Sequence, residues 1–260
     1  DIPIVQPTEL KNETTRKVAN LLRNSVINLY IEQIKKIRRK ITFSGIYEKL
    51  ESIEQSLDKY LNNKEDFKLD TFIRNLKNIK MKLNNEYDGI FIDIVDDLLV
   101  KVNLFGYYFA SIDIRQNRKE IMRSLKFVET NNKKPLDMNT SELLSYSGNI
   151  KLMRVKDKTI NDTLSSFRMI KELQKKYGES ICNRYIISNC SAPEDIASVF
   201  LLAKKTAFKK SISIDFIPLF ESVRDLENAS NILKVLFSEK PYRIHLKQRD
   251  NTQTVMLGFS

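Results

Sequence analysis

Between residues 107 and 259 one unit recurs: a short apolar run followed by an amphipathic stretch of helical length. The runs at 107–114, 184–189, 212–220 and 254–259 are dominated by aromatic, aliphatic and β-branched residues. They have the length and composition of buried strands. Helical patterns fill 117–129, 160–177, 191–208 and 222–237. Strand and helix in alternation predict parallel β/α units.

Two of these helices carry start signals. At Ser191-Ala192-Pro193-Glu194 the Ser191 hydroxyl is expected to accept a free amide of the first turn. The Glu194 carboxylate would reach back to the Ser191 amide, completing a capping box. Ser222-Val223-Arg224-Asp225 repeats the signal. Residues 130–150, rich in Asn, Lys, Ser and Gly, read as a surface loop with one short helix.

The first hundred residues read differently. Apolar residues recur close to a 3.6 period at Val18, Leu21, Leu22, Val26, Leu29, Ile34 and Ile37, predicting a helix over 13–40. Ile46, Leu50, Ile53, Leu57 and Leu61 predict a second over 42–61, its start punctuated by Ser44-Gly45. Third and fourth helices follow over 70–84 and 88–105, and Gly106 interrupts the pattern. The fold class is therefore α/β and predominantly helical: a helical region over 1–100, then a partial β/α barrel of parallel strands over 101–260. An apolar parallel strand needs a helix to cover it, so a last strand ending with the chain predicts truncation after Ser260.

Hydrophobic residues make up 42% of the 260, enough for a sizeable core. No apolar run approaches the roughly 20 residues that cross a bilayer, so no membrane is expected. The opening Asp1-Ile2-Pro3-Ile4 has neither the basic nor the apolar region of a secretory signal, which predicts either a cytoplasmic protein or a chain that has lost its start. Net charge is +11, yet it is unevenly placed. Residues 1–100 hold 17 Lys and Arg against 16 Asp and Glu; residues 101–260 hold 27 against 17. The densest basic run, 35–40, falls on a helix in the neutral half. This is the pattern of a solvated helix face, and no nucleic acid is expected. The competing reading is a non-enzymatic basic helical module that binds nucleic acid or a protein partner.

Cys182 and Cys190 match neither a disulfide framework nor a metal site, and read as reduced and structural. The one histidine, His245, excludes most His-base schemes and any multi-histidine metal site. It reads as a surface or hydrogen-bonded residue. The six glycines never cluster, so no glycine-rich phosphate loop exists.

Ligands of parallel α/β sheets gather at the carboxyl ends of strands. There the first strand ends in Asp113-Ile114-Arg115-Gln116 and the third in Pro218-Leu219-Phe220-Glu221. An arginine suits an oxygen-rich anion, and a carboxylate suits a hard divalent cation. Together they suggest chemistry on a phosphorylated acid. Each also has a plainer use, Arg115 in a salt bridge to Asp113 or a neighbour, and Glu221 as a helix-start carboxylate favoured by the macrodipole.

Those rim segments carry a resemblance. The run Leu104-Phe105-Gly106, then Ser111-Ile112-Asp113-Ile114-Arg115-Gln116, resembles the segment of phosphoenolpyruvate carboxylases in which a barrel strand ends in Asp-Ile-Arg-Gln. Tyr185-Ile186-Ile187-Ser188, Pro218-Leu219-Phe220-Glu221 and Val255-Met256-Leu257-Gly258-Phe259-Ser260 resemble three later motifs of that family, in its order and spacing. The helix over 13–24 is similar to the segment after the family's Asp-Gly-Asn-Pro motif, which Val5-Gln6-Pro7-Thr8-Glu9 does not reproduce. The resemblance implies an incomplete (β/α)₈ barrel with extra helices. It implies a lyase-type carboxylation, with Mg²⁺ or Mn²⁺, of phosphoenolpyruvate by bicarbonate to oxaloacetate and phosphate, an anaplerotic fixation of carbon. Arg115 matches a catalytic, substrate-binding arginine and Glu221 a metal-binding carboxylate. The family's second metal-binding aspartate, catalytic histidine and glycine-rich loop have no counterpart in this chain. The resemblance therefore implies a central fragment, inactive alone, of an enzyme that is usually a homo-oligomer.

Overall fold

The structure, a computed structural model, describes residues 4–9, 12–132, 139–148 and 155–258. Residues 1–3, 133–138, 149–150 and 259–260 of the segments read above, and the Val18 side chain, lie outside the described residues. By internal packing the chain divides into two units, Thr15–Ala110 and Asp1–Thr14 with Ser111–Ser260.

The first unit is helical. Its helices are α1 (Asn12–Lys40), α2 (Tyr47–Leu61), α3 (Leu69–Glu86) and α4 (Ile92–Phe105). In α2 the buried residues are Leu50, Ile53, Glu54 and Leu57; in α3 they are Phe72, Leu76, Ile79 and Leu83. That spacing lays one stripe on each helix toward a common core with Ile27, Ile34, Ile41 and Ile46. The apolar pattern of α1 is wider than the stripe it buries: Val26, Ile34 and Ile37 are inside, while Leu21 and Leu29 are exposed. Arg38, in the basic run, pairs with Glu51 and Glu54. Two helices start later than their apolar patterns suggest. Gly45 precedes α2 with φ +75°, and Asp88, Gly89 and Phe91 precede α4 with positive φ. Residues in that region cannot continue a right-handed helix.

The second unit holds a five-stranded sheet in the order β1 (Ile4–Val5), β2 (Asp113–Asn117), β3 (Arg184–Ser188), β4 (Asp215–Phe220), β5 (Met256–Leu257). Every neighbouring pair is parallel. Among the described residues the sheet is open. The helices are α5 (Arg118–Asn132), α6 (Thr140–Ser145), α7 (Lys158–Tyr177), α8 (Pro193–Thr206), α9 (Val223–Ser238) and α10 (Lys240–Lys247). Strand order that follows chain order is singly wound. With right-handed crossovers, each helix returns to the same face of the sheet, as in a β/α barrel.

The expected strand at 107–114 is corrected: the strand occupies Asp113–Asn117. Tyr107 belongs to the helical core, its ring 5.0 Å from that of Tyr60. Gly106 and Phe109, both with positive φ, turn the chain before the strand begins. The strand expected at 212–220 shortens to Asp215–Phe220, and among the described residues of 254–259 the strand is Met256–Leu257.

Period-two alternation divides each strand. On one face Gln116 donates to Thr163 of α7 at 2.9 Å, Tyr185 stacks on Phe167 of α7, and Phe216 meets Phe200 of α8. On the other face Ile186, Ile217 and Leu219 cluster with Met256. Asp113 and Arg184 pair on that same face at 2.9 Å.

The capping box expected at Ser191 is shifted. The helix starts at Pro193, and the buried Asp195 carboxylate accepts the amides of Ser191 and Ala192 at 2.9 and 3.0 Å. Proline at the first helical position needs no amide partner, which moves the cap by one residue. At α9 the expected Ser222–Asp225 box is present, with the Asp225 amide donating to the Ser222 hydroxyl at 3.2 Å.

Cys182 and Cys190 are buried free thiols. His245 is only 4% exposed, packed among the rings of Phe200, Phe216 and Tyr242. Its Nδ1 has no hydrogen-bond partner. Burial, helped by the nearby Arg249 cation, lowers its pKa to about 4, against smaller opposing effects from Asp215 and the Ile214 backbone. The unfolded chain takes a proton near pH 6.5, while the folded one resists it. Stability from neutral His245 is therefore complete above pH 6.5 and lost as pH falls toward 4. The loss amounts to on the order of 3 kcal/mol. Urea midpoints measured across that window should fall for the wild type and fall less for His245→Phe.

Candidate functional site

Arg115 is the central residue of β2. Its neighbours Ile114 and Gln116 are buried, and Gln116 faces the helices, so the arginine leaves on the opposite face. Glu221 immediately follows β4. Although 106 residues apart, they meet: Arg115 Nη2 donates to Glu221 Oε1 at 2.8 Å. Parallel pairing of β2 with β3 and of β3 with β4 makes this possible, because it brings both carboxyl ends to one edge.

The second oxygen is also held. The Asn189 amide, just past β3, donates to Glu221 Oε2 at 2.7 Å. Asn189 has φ +55°, a left-handed conformation that asparagine tolerates better than most residues. Beneath the carboxylate stem lies Gly258, whose amide donates to Phe220 O at 3.0 Å. A Cβ built on Gly258 would stand 3.1 Å from Glu221 Cγ and 3.3 Å from Leu219 Cδ1. The carboxylate is thus clamped by a guanidinium from β2, an amide after β3 and a glycine after β5.

Arg115 is 34% exposed and Glu221 17%. Nη2 is the anchored end of the guanidinium. Its other N–H donors have no partner among the described residues, which leaves a planar fork presented at the rim. The bridge from Arg115 to Asp113 is not made. Asp113 pairs with Arg184 instead, and burial raises its pKa while that arginine pulls it down.

Beside this pair Arg118 opens α5. Its Nε lies 3.2 Å from Asp195 Oδ1, and its Nη1 donates to the Ser191 hydroxyl. Burial raises the Asp195 pKa, against the Ser191 amide and the Arg118 charge. The parts played by Asn189, Gly258 and Arg118 were not legible in the sequence. A positive φ, a close approach and an ion pair between two helices leave no periodic trace. The signals available were an Asn at a strand end and a Gly inside an apolar run.

A divalent cation, as the resemblance implies, finds a poor fit. Glu221 is one carboxylate, and both its oxygens are engaged. Among the described residues no group of three or more His, Cys, Asp or Glu could hold a metal ion. These residues do not by themselves make a cation site.

The fold and rim define a class: a singly wound parallel β/α protein with an anchored arginine at the carboxyl ends of its strands. The sequence model of the phosphoenolpyruvate carboxylase family matches residues 54–260. The chain belongs to that family. It is 32% identical over 182 residues to the phosphoenolpyruvate carboxylase of Gloeobacter violaceus, covering 64% of this chain and 19% of that protein. Those of Prochlorococcus marinus strains MIT 9515 and MIT 9215 are 30% and 28% identical over 212 and 258 residues. These alignments cover 74% and 85% of this chain, and 21% and 26% of the relatives. The chain therefore spans about a fifth to a quarter of the length of these relatives.

The clamp around Glu221 is testable. Replacing Asn189 by Val, which disfavours positive φ, should destabilise the protein by about 1–2 kcal/mol. Asn189→Gly should be closer to wild type, because glycine accepts that conformation. Denaturant unfolding of the two variants side by side separates conformational strain from loss of the side chain.

Proposed function

We propose that this chain contributes one part of the active site of an enzyme that carboxylates phosphoenolpyruvate with bicarbonate, giving oxaloacetate and phosphate. In that reaction bicarbonate attacks the phosphorus, forming carboxyphosphate and the enolate of pyruvate. Carbon dioxide released from carboxyphosphate then traps the enolate, and phosphate leaves. Both halves place negative charge on oxygens, which a fixed guanidinium stabilises. Arg115 takes that role as substrate-binding and catalytic residue. Glu221 is a positioning residue for it, holding one end of the guanidinium so that the free edge meets the anion in a set orientation.

The observation that carries this reading is the 2.8 Å Arg115–Glu221 contact at the carboxyl ends of parallel strands, in a chain of this family. The metal-binding role that the resemblance gives Glu221 would need Arg115 to release it and further ligands to join. No described helix is long and apolar enough to cross a membrane, in keeping with a cytoplasmic setting for a reaction on charged metabolites. The 260-residue chain alone is inactive in this reading, and the whole enzyme acts as a homo-oligomer.

The test uses the intact enzyme, following oxaloacetate made from phosphoenolpyruvate and bicarbonate. Arg115→Gln should lower kcat/KM by about 10²–10³-fold, the scale of one lost transition-state donor. Glu221→Gln should also lower it, through misorientation of Arg115. Unchanged activity in Arg115→Gln overturns the assignment. Robust turnover by the 260-residue chain would overturn the claim that it is insufficient.

A further inference from the structure

A second basic feature lies beside the Arg115–Glu221 pair and plays no part in it. A cavity of about 810 Å³ opens at the carboxyl ends of the strands. Arg118, Lys119, Arg123 and Lys126 of α5 line it, with Asp225 of α9 as the one acidic residue in its wall. Asn189 is shared: it lines the cavity while its amide holds Glu221.

Lys119, Arg123 and Lys126 stand at helical spacings of four and three, on one face of α5. Like charges at those spacings oppose one another and disfavour the helix. Pairing relieves only some of them. Arg123 contacts Asp157 at 2.5 Å, and Arg118 is fixed between Ser191 and Asp195. The ammonium groups of Lys119 and Lys126 have no partner among the described residues. Arg118 and Lys119 also stand in the first turn of a 15-residue helix, whose dipole adds positive potential there; Arg123 and Lys126 lie beyond that turn. The wall is concave and carries four cations against one carboxylate, with Glu120 of α5 outside it at 3.7 Å from Arg123.

We infer that this cavity binds a small oxyanion bearing two or more negative charges, held by Lys119 and Lys126 and oriented by Arg118. A multiply charged phosphate and a polycarboxylate share that chemistry, and the volume admits a metabolite-sized ligand of either kind. The site goes beyond the carboxylation reading and does not depend on it.

The test is lysine acetylation footprinting of the intact protein with pyrophosphate, citrate or acetate at equal ionic strength, paired with calorimetric titration. Pyrophosphate or citrate should protect Lys119 and Lys126, and acetate should not. Protection by one polyanion alone identifies phosphate or carboxylate as the ligand chemistry. The double variant Lys119→Gln/Lys126→Gln should bind about tenfold more weakly, the scale of two lost charge-assisted contacts. Arg115→Gln should leave the protection of Lys119 and Lys126 as it is in the wild type. Three outcomes overturn the site: no protection by either polyanion, equal protection by acetate, or binding abolished by Arg115→Gln and untouched in the lysine double variant. The last would place the probe at the Arg115–Glu221 pair and leave the carboxylation reading standing.

Discussion

A side chain on a β-strand must leave by one face or the other, and in this sheet that constraint decides almost everything else. Ile114, Gln116, Tyr185 and Phe216 share the periodicity that faces the helices, where Gln116, Tyr185 and Phe216 meet Thr163, Phe167 and Phe200. Asp113, Arg115, Arg184 and Ile186 are consequently committed to the other face. Register then aligns them: Asp113 with Arg184, and Arg115 with Ile186. A slip of one residue would bury Arg115 among the helices and bring Ile114 to the rim. The fully buried apolar residues on the helical side make that slip unfavourable. The polar chemistry of the inner face is thus held in place by the hydrophobic packing of the outer one.

How much of this was legible in the sequence follows the range of the forces involved. β3 was readable because Tyr185-Ile186-Ile187 is both a strand-like run and a buried one. The start of α9 was readable because a capping box is local. The segment 107–112 misled because aromatic and β-branched residues signal burial, not the element that supplies it. Tyr107 is buried in the helical unit. β1 has two residues, too few to show alternation. α10 begins with a Lys-Pro pair and went unassigned, although proline in a first turn favours a helix start. His245 read as a surface or hydrogen-bonded residue; it is hydrogen-bonded to the Ile214 backbone, but a polar type in a basic segment carries no sign of the three rings around it.

The candidate site was legible in part. Strand-end logic picked out Arg115 and Glu221 without knowing their separation, and parallel topology brought them together. The same logic did not say what they would do on meeting. It allowed a cation and an anion to be held between the two residues, whereas they hold each other. Nor did it find the cations lining the cavity on α5. Their grouping into a concave wall depends on where β3 and α9 end, and a net charge read along the chain averages that away.

The strength of the Arg115–Glu221 contact bears on its use. A partly exposed ion pair contributes only about 0.2–1 kcal/mol to stability, because water screens it and both side chains lose freedom. A pair fixed chiefly to stabilise the fold would gain from a second hydrogen bond between fork and carboxylate. Here the carboxylate is the better anchored partner, held also by the Asn189 amide and closely approached by Gly258. The arginine keeps most of its donors open. Such asymmetry is what an anion-binding arginine needs: a rigid carboxylate sets the direction of the guanidinium, and the weak pairing leaves its outer edge available at little cost. The sheet supplies the rigidity by anchoring the two partners on strands that must themselves stay in register.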